Sequence, residues 1–173
     1  GVRDSKTVTD AMALSLSTRI ARVCPHHVVS IGPAKYNELY ANFKNLNHLL
    51  AWAHARAIEN VLEHQSASRI VSDEFAKGGA VVRTALGAAG KEVEFVSRVR
   101  AESDPAVAAA SILARAQFLR KLKSLSEEFG IELPKGATIV LPIGKKFVAR
   151  HGVEALGKVA KLHFKTTLKV LGS

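Results

Sequence analysis

Arg69-Ile70-Val71-Ser72-Asp73 is a short apolar run closed by a carboxylate. Its length and its β-branched pair, Ile70 and Val71, suit a buried strand better than a helix. Lys77-Gly78-Gly79 then breaks the chain. A second strand is expected from Val93 to Val99, where Val93, Phe95 and Val99 alternate against Glu94 and Arg98. Asp104-Pro105 follows as a strong helix start, with Asp at the cap and Pro in the first turn. That helix should run to about Phe129, where Gly130 ends it. Strands alternating with helices indicate an α/β fold with a partly parallel sheet.

Working outward, Thr9 and Asp10 begin a helix with Leu14, Leu16, Ile20 and Val23 near one face, stopped by Pro25. His27 to Ile31 reads as a short strand. Pro33 opens a short helix carrying Lys35, Tyr36, Asn37 and Tyr40. Asn47 caps a long helix to about His64, with Leu50, Ala53, Ala57 and Val61 as its apolar stripe. In the helix after Pro105 the first turns are nearly all Ala, and Phe118, Leu122, Leu125 and Phe129 share a face further on. Pro134-Lys135-Gly136 is a turn, and short helices and a basic tail follow.

At 173 residues and 47% hydrophobic, the chain suits one globular domain over residues 1–173. No apolar run approaches the ~18 residues of a membrane span. One cysteine, Cys24, excludes a disulfide framework and is expected to be structural. A reducing cytoplasm is the expected setting. The net charge is +10, and it is uneven. Residues 1–114 hold 13 Lys/Arg against 11 Asp/Glu, whereas residues 115–173 hold 12 against 4. A basic third beside a nearly neutral body suits an anionic partner, nucleic acid first. A solvated basic surface is the plain alternative.

Asp73 is the first candidate for chemistry. Functional groups of open α/β sheets gather beyond the carboxyl ends of strands, and a carboxylate there suits a hard cation. The competing reading is a turn-forming Asp. Glu102 is the second, between a strand and the Ala-rich helix. Asp104 is better placed as the cap, which leaves Glu102 without a structural task. Two strand-end carboxylates could share metal ions that clamp a phosphodiester during hydrolysis. The histidines have no metal-ligand spacing and read as surface or core residues. There is no P-loop, GxGxxG, zinc pattern or nucleophile elbow.

Seven segments in order resemble the ribonuclease HIII branch of the type 2 ribonucleases H. They are Gly1-Val2-Arg3-Asp4-Ser5-Lys6, Pro33 to Asn37, Asn47 to Asn60 with Ala51-Trp52 and His54, and Asp73-Glu74-Phe75-Ala76. Arg100 to Ser103 with Ala106 to Arg115, Leu133 to Ala137, and Lys161 to Lys165 complete the set. The resemblance implies an RNase H-like fold, a mixed sheet flanked by helices. It implies a divalent-metal endonuclease that cuts the RNA strand of RNA–DNA hybrids, with Mg²⁺ or Mn²⁺ held by four carboxylates. Asp73 matches the third of these and Glu102 the fourth. Asp4, Ser5 and Lys6 match a segment beside the substrate backbone, and Lys135 and Gly136 match a substrate-facing turn.

The chain departs from the family pattern in two places. The adjacent Asp-Glu pair that supplies the first two carboxylates belongs upstream of the Asp4-Ser5-Lys6 segment, and the chain starts at that segment. It also starts at Gly1 rather than Met. The fold is therefore expected to be truncated at its N-terminus, also lacking the branch's small substrate-binding domain. Ala137 stands where the HII branch has a junction-reading tyrosine, which favours longer RNA tracts. The complete protein is expected to cut hybrids as a monomer and this chain alone to be inactive. The rivals are a non-catalytic nucleic-acid-binding protein of the same fold and an α/β module whose basic tail docks an acidic protein.

Overall fold

The computed structural model describes residues 8–75, 79–136 and 139–172. Asp4, Ser5, Lys6, Ala76, Lys77, Gly78 and Ala137 lie outside them. The chain forms two compact units. The first comprises Gly1–Val29 with Asn45–Phe118, and the second Ser30–Lys44 with Leu119–Ser173.

In the first unit, β1 (Arg69–Asp73) pairs in parallel with β2 (Glu94–Arg98), placing Asp73 opposite Arg98. The backbone N–H of Glu74 donates to the Arg98 carbonyl at 3.2 Å, which carries the pairing one residue past Asp73. Among the described residues the sheet has these two strands and is wholly parallel, not mixed. A parallel pair needs a crossover rather than a hairpin. Here the crossover carries two short helices, α4 (Ala80–Ala85) and α5 (Ala88–Lys91). Ile70 packs with Ala55 and Leu86 in a core extended by Ile58, Leu62, Val93 and Phe95. Gly79 enters α4 at φ +62, and a Cβ there would fall 2.2 Å from Ser97 Cβ. Glycine meets both demands, the left-handed backbone and the close approach to β2.

Helix α1 is Asp10–Val23 and α3 is Leu46–Leu62. Both form as expected, and Ile20 of the expected α1 stripe is buried, but otherwise the buried faces are rotated from the expected stripes. Ala13, Ser17 and Ile20 are buried in α1, while Val23 is 79% exposed. Leu49, Ala51 and Ala55 are buried in α3, whereas Leu50, Ala53, Ala57 and Val61 are only half-buried. Small residues allow close helix approach, so the buried line follows Ala and Ser rather than the largest apolar side chains. The cap of α3 is Asn45, whose side chain accepts from the backbone N–H groups of Asn47 and His48. Asn47 is inside the helix. Residues 27–31 are not a strand. They include the junction of the two units, and no strand is paired to them. Cys24 is exposed and stands at the C-terminal cap of α1.

The second unit contains α2 (Pro33–Phe43), the end of α6 (Pro105–Phe129), α7 (Val140–His151), a 3-10 turn (Glu154–Lys158) and α8 (Lys165–Leu171). Pro33 occupies the first turn of α2, as its fixed φ favours. Asp104 Oδ1 accepts from Ala106 N–H at 2.9 Å and so caps α6. Gly130, at φ +59, closes it. Phe147 is 1% exposed at the centre of a core with Ile131, Leu133, Leu156 and Val170. Leu122, Leu125 and Phe129 pack on that core as their spacing predicts, while Phe118 is half in solvent. No helix among the described residues is long and apolar enough to cross a membrane.

Candidate active site

Asp73 ends β1 and is exposed. Its Oδ1 accepts from the backbone N–H of Ala101 at 3.1 Å. Ala101 is fully buried and begins a 3-10 turn, Ala101–Ser103, that contains Glu102. The parallel pairing brings the ends of β1 and β2 level, and the chain must then turn sharply into α6. Arg100 makes that turn in the left-handed region, at φ 57. A non-glycine residue there costs roughly 1–2 kcal/mol. The turn aims the Ala101 N–H at Asp73 and sets Glu102, half-buried, directly after the residue that holds Asp73. Asp73 is thus bonded to the residue next to Glu102, although 29 positions separate the two carboxylates in the chain.

Arg98, opposite Asp73, reaches Asp104 at 3.4 Å. Both helix-start carboxylates expected from the sequence therefore divide their tasks. Asp104 caps α6 and pairs with Arg98, and Glu102 makes neither contact. Further along α6, Arg115 donates to the Val8 carbonyl at 2.9 Å and to Asp10 Oδ1 at 2.8 Å, tying this helix to the start of α1.

His54 joins this neighbourhood, which its spacing from other histidines did not suggest. Its ring centroid lies 5.0 Å from that of Phe75, two residues after Asp73. Much of His54 reaches solvent, but the protein shielding one side of the ring lowers its pKa below 6.5 by desolvation. The charge of Asp73 pulls in the opposite direction. The signal that could have found His54 is its place in the Ala51-Trp52-x-His54 helix segment.

Carboxylate oxygens from Asp73 and Glu102 are the donor type a hard divalent cation takes. Among the described residues no group of three or more His, Cys, Asp or Glu side chains could hold a metal. The two carboxylates fit part of a metal site. Lys135 and Gly136 are both exposed, in the second unit, after the buried Leu133. Asp4, Ser5 and Lys6 lie outside the described residues.

In the second unit, Asn37 of α2 makes three hydrogen bonds to one loop. Its Nδ2 donates to the carbonyls of Gly157 at 3.0 Å and Ala160 at 2.9 Å, and its Oδ1 accepts from Leu162 N–H at 2.9 Å. This holds Lys161 beside Tyr36 and His163 beside Tyr36 and Tyr40, with Phe164 against His163. The buried Tyr36 hydroxyl has its pKa raised by desolvation and then by Tyr40. That of His163 is lowered by desolvation and then by the Lys161 charge.

The family model for ribonuclease HII matches residues 1–167. Among curated relatives, ribonuclease HIII of Protochlamydia amoebophila is 46% identical over 99% of this chain, and ribonuclease HIII of Chlamydia felis is 42% identical over the same share. The chain spans 57% and 58% of their lengths. Bst-RNase HIII in complex with Mn²⁺ superposes with a TM-score of 0.88 at 30% identity, over 99% of this chain and 58% of that one. The ribonuclease H2 of Pyrococcus horikoshii matches at TM-score 0.69 and 19% identity, over 98% of this chain and 80% of that one, a likeness of fold.

Proposed function

The chain belongs to the ribonuclease HII family, and on that premise we propose that it is the greater part of a metal-dependent endoribonuclease that hydrolyses the RNA strand of RNA–DNA hybrids. The observation that carries the reading is the Ala101 N–H bond to Asp73, which links the carboxylate at the end of β1 to the turn that bears Glu102. Curated relatives named ribonuclease HIII and a Mn²⁺-bound structural neighbour support it. The RNase H-like fold that positions the site is common to those neighbours.

Asp73 and Glu102 are the residues that would hold Mg²⁺ or Mn²⁺ through oxygen. Such an ion, when bound, activates a water as nucleophile and stabilises the charge on the leaving oxygen. The chain's own contribution is positioning. The Ala101 N–H fixes one Asp73 oxygen and so orients the other. The Arg100 turn fixes where Glu102 starts. His54, held below its ordinary pKa by desolvation, stands against Phe75, two residues after Asp73. Asp4, Ser5, Lys6, Lys135 and Gly136 are the residues that would contact the substrate backbone, in a protein that acts as a monomer. Two carboxylates are too few for two cations, so the 173-residue chain by itself binds hybrid without cutting it.

The test joins the chain to an upstream segment bearing an adjacent Asp-Glu pair and measures cleavage of a labelled hybrid in Mg²⁺ or Mn²⁺. The joined protein should cut, and Asp73→Asn or Glu102→Gln should stop it. Cutting that survives both substitutions would remove these residues from the site. Robust cutting by the 173-residue chain would remove the need for further carboxylates.

A further inference from the structure

Outside the carboxylate site, three rings cluster in the second unit, one pair stacked and the other tilted. Tyr40 and His163 lie 4.0 Å apart by centroid at 23°. His163 and Phe164 are also 4.0 Å apart, at 38°. Tyr36 is buried behind them, its hydroxyl 3.5 Å from His163 Nδ1. The stack does not end inside the protein, because Phe164 is 48% exposed.

Cations accompany the rings. Lys161 Nζ sits 4.6 Å from the Tyr36 centroid. Lys165 directly follows Phe164 and is exposed. From Ala155 to the end of the chain there are four lysines and no Asp or Glu. The stretch Lys161-Leu162-His163-Phe164-Lys165 therefore places two rings between two cations. Asn37 fixes that arrangement through the backbone at Gly157, Ala160 and Leu162, before any ligand arrives.

We propose that the Tyr40–His163–Phe164 stack is a platform for an unpaired nucleobase, with Lys161 and Lys165 taking the phosphates on either side. A single strand alternates flat rings with negative charges, which is the complement of this segment. Base–aromatic stacking tolerates any sequence because every base has a π-face. An acidic peptide would match the charge but supplies no repeating planar group. The site would hold single-stranded nucleic acid of either sugar type, as found next to a hybrid tract. This inference rests on the nucleic-acid reading above.

The experiment compares binding of the 173-residue chain to a labelled oligothymidylate, an abasic strand of equal length and an RNA–DNA hybrid. The chain should prefer the base-bearing strand by about fivefold or more, the range of one stacked base. Phe164→Ala and Phe164→Leu should both erase that preference while leaving abasic-strand affinity and hybrid binding in place, and Phe164→Trp should keep it. The leucine variant preserves apolar bulk, so a loss shared by both is a loss of the ring. Equal affinity for the two strands, with hybrid still bound, would overturn the platform alone. Failure to bind any of the three would overturn the nucleic-acid reading with it. Selective capture of an acidic, phenylalanine-bearing peptide through Phe164, without base preference, would assign the surface to a protein partner instead.

Discussion

The unit that carries Asp73 and Glu102 has 12 Lys/Arg against 10 Asp/Glu, while the other has 13 against 5 in fewer residues. The first holds its special groups with backbone. Ala101 N–H fixes Asp73, and the N–H groups of Gly87 and Gly90 both reach Glu59 Oε1 at 2.9 Å. The second holds its special groups with a side chain, Asn37, and with stacked rings. The difference fits the roles proposed above, because carboxylates that would hold a cation suit an environment that is not swamped by fixed cations. Phosphate contacts require the reverse.

The largest effect that would sharpen this comparison is expected at the carboxylates. In a hybrid-cutting form of the protein, Asp73→Asn should lower kcat on the order of a thousandfold, about 4 kcal/mol. Hybrid affinity measured without metal should barely change. A matched loss of affinity would mean that Asp73 serves folding or binding instead.

Next comes Glu59. Replacing it with Ala leaves two backbone donors without their charged acceptor, and about 3 kcal/mol of stability should be lost in urea unfolding. Glu59→Gln, which keeps an acceptor oxygen, should lose less. Asn37→Ala is the counterpart in the basic unit, at about 2 kcal/mol, because three modest hydrogen bonds are removed together. It should also disorder the ring stack, read in near-ultraviolet circular dichroism. Intact ring signals in Asn37→Ala would show that the stack holds itself.

A smaller effect concerns salt. Lys161→Gln with Lys165→Gln should reduce the slope of log affinity against log salt by roughly 1.4 for a single strand. An unchanged slope would place the phosphate contacts elsewhere in the basic unit. The smallest effect is in pH. His163 has a folded pKa below its ordinary 6.5, lowered by desolvation and then by Lys161. The unfolded chain therefore takes up this proton first as pH falls. The stability contribution is present above pH 6.5 and lost as pH drops through the folded pKa. Between pH 7.5 and 5.5 the Tm of His163→Gln should accordingly fall less than that of the wild type.

Much of the candidate site was legible because its signals are local. Asp73 ends an apolar strand run, and Asp104-Pro105 claims the helix cap, so Glu102 stands out by what it does not do. His54 was not legible by spacing, because its neighbour Phe75 is brought to it by folding. The α1 and α3 stripes were misjudged for a similar reason. Periodicity finds a helix, but which face is buried depends on how closely its neighbours approach, and Ala13, Ser17, Ala51 and Ala55 allow the closest approach. Residues 27–31 have strand composition, yet a strand exists only where another backbone pairs with it.

By itself the sequence determined β1, the bounds of α6, the uneven charge and the seven family segments, all written in neighbouring residues. Tertiary structure alone decided that Ala101 holds Asp73, that Glu59 serves two glycines, and that Asn37 builds the ring stack. The reason is physical. A cap, a strand period or a charge run depends on positions a few residues apart. A hydrogen bond across 28 or 125 positions depends on where the whole chain has been folded to.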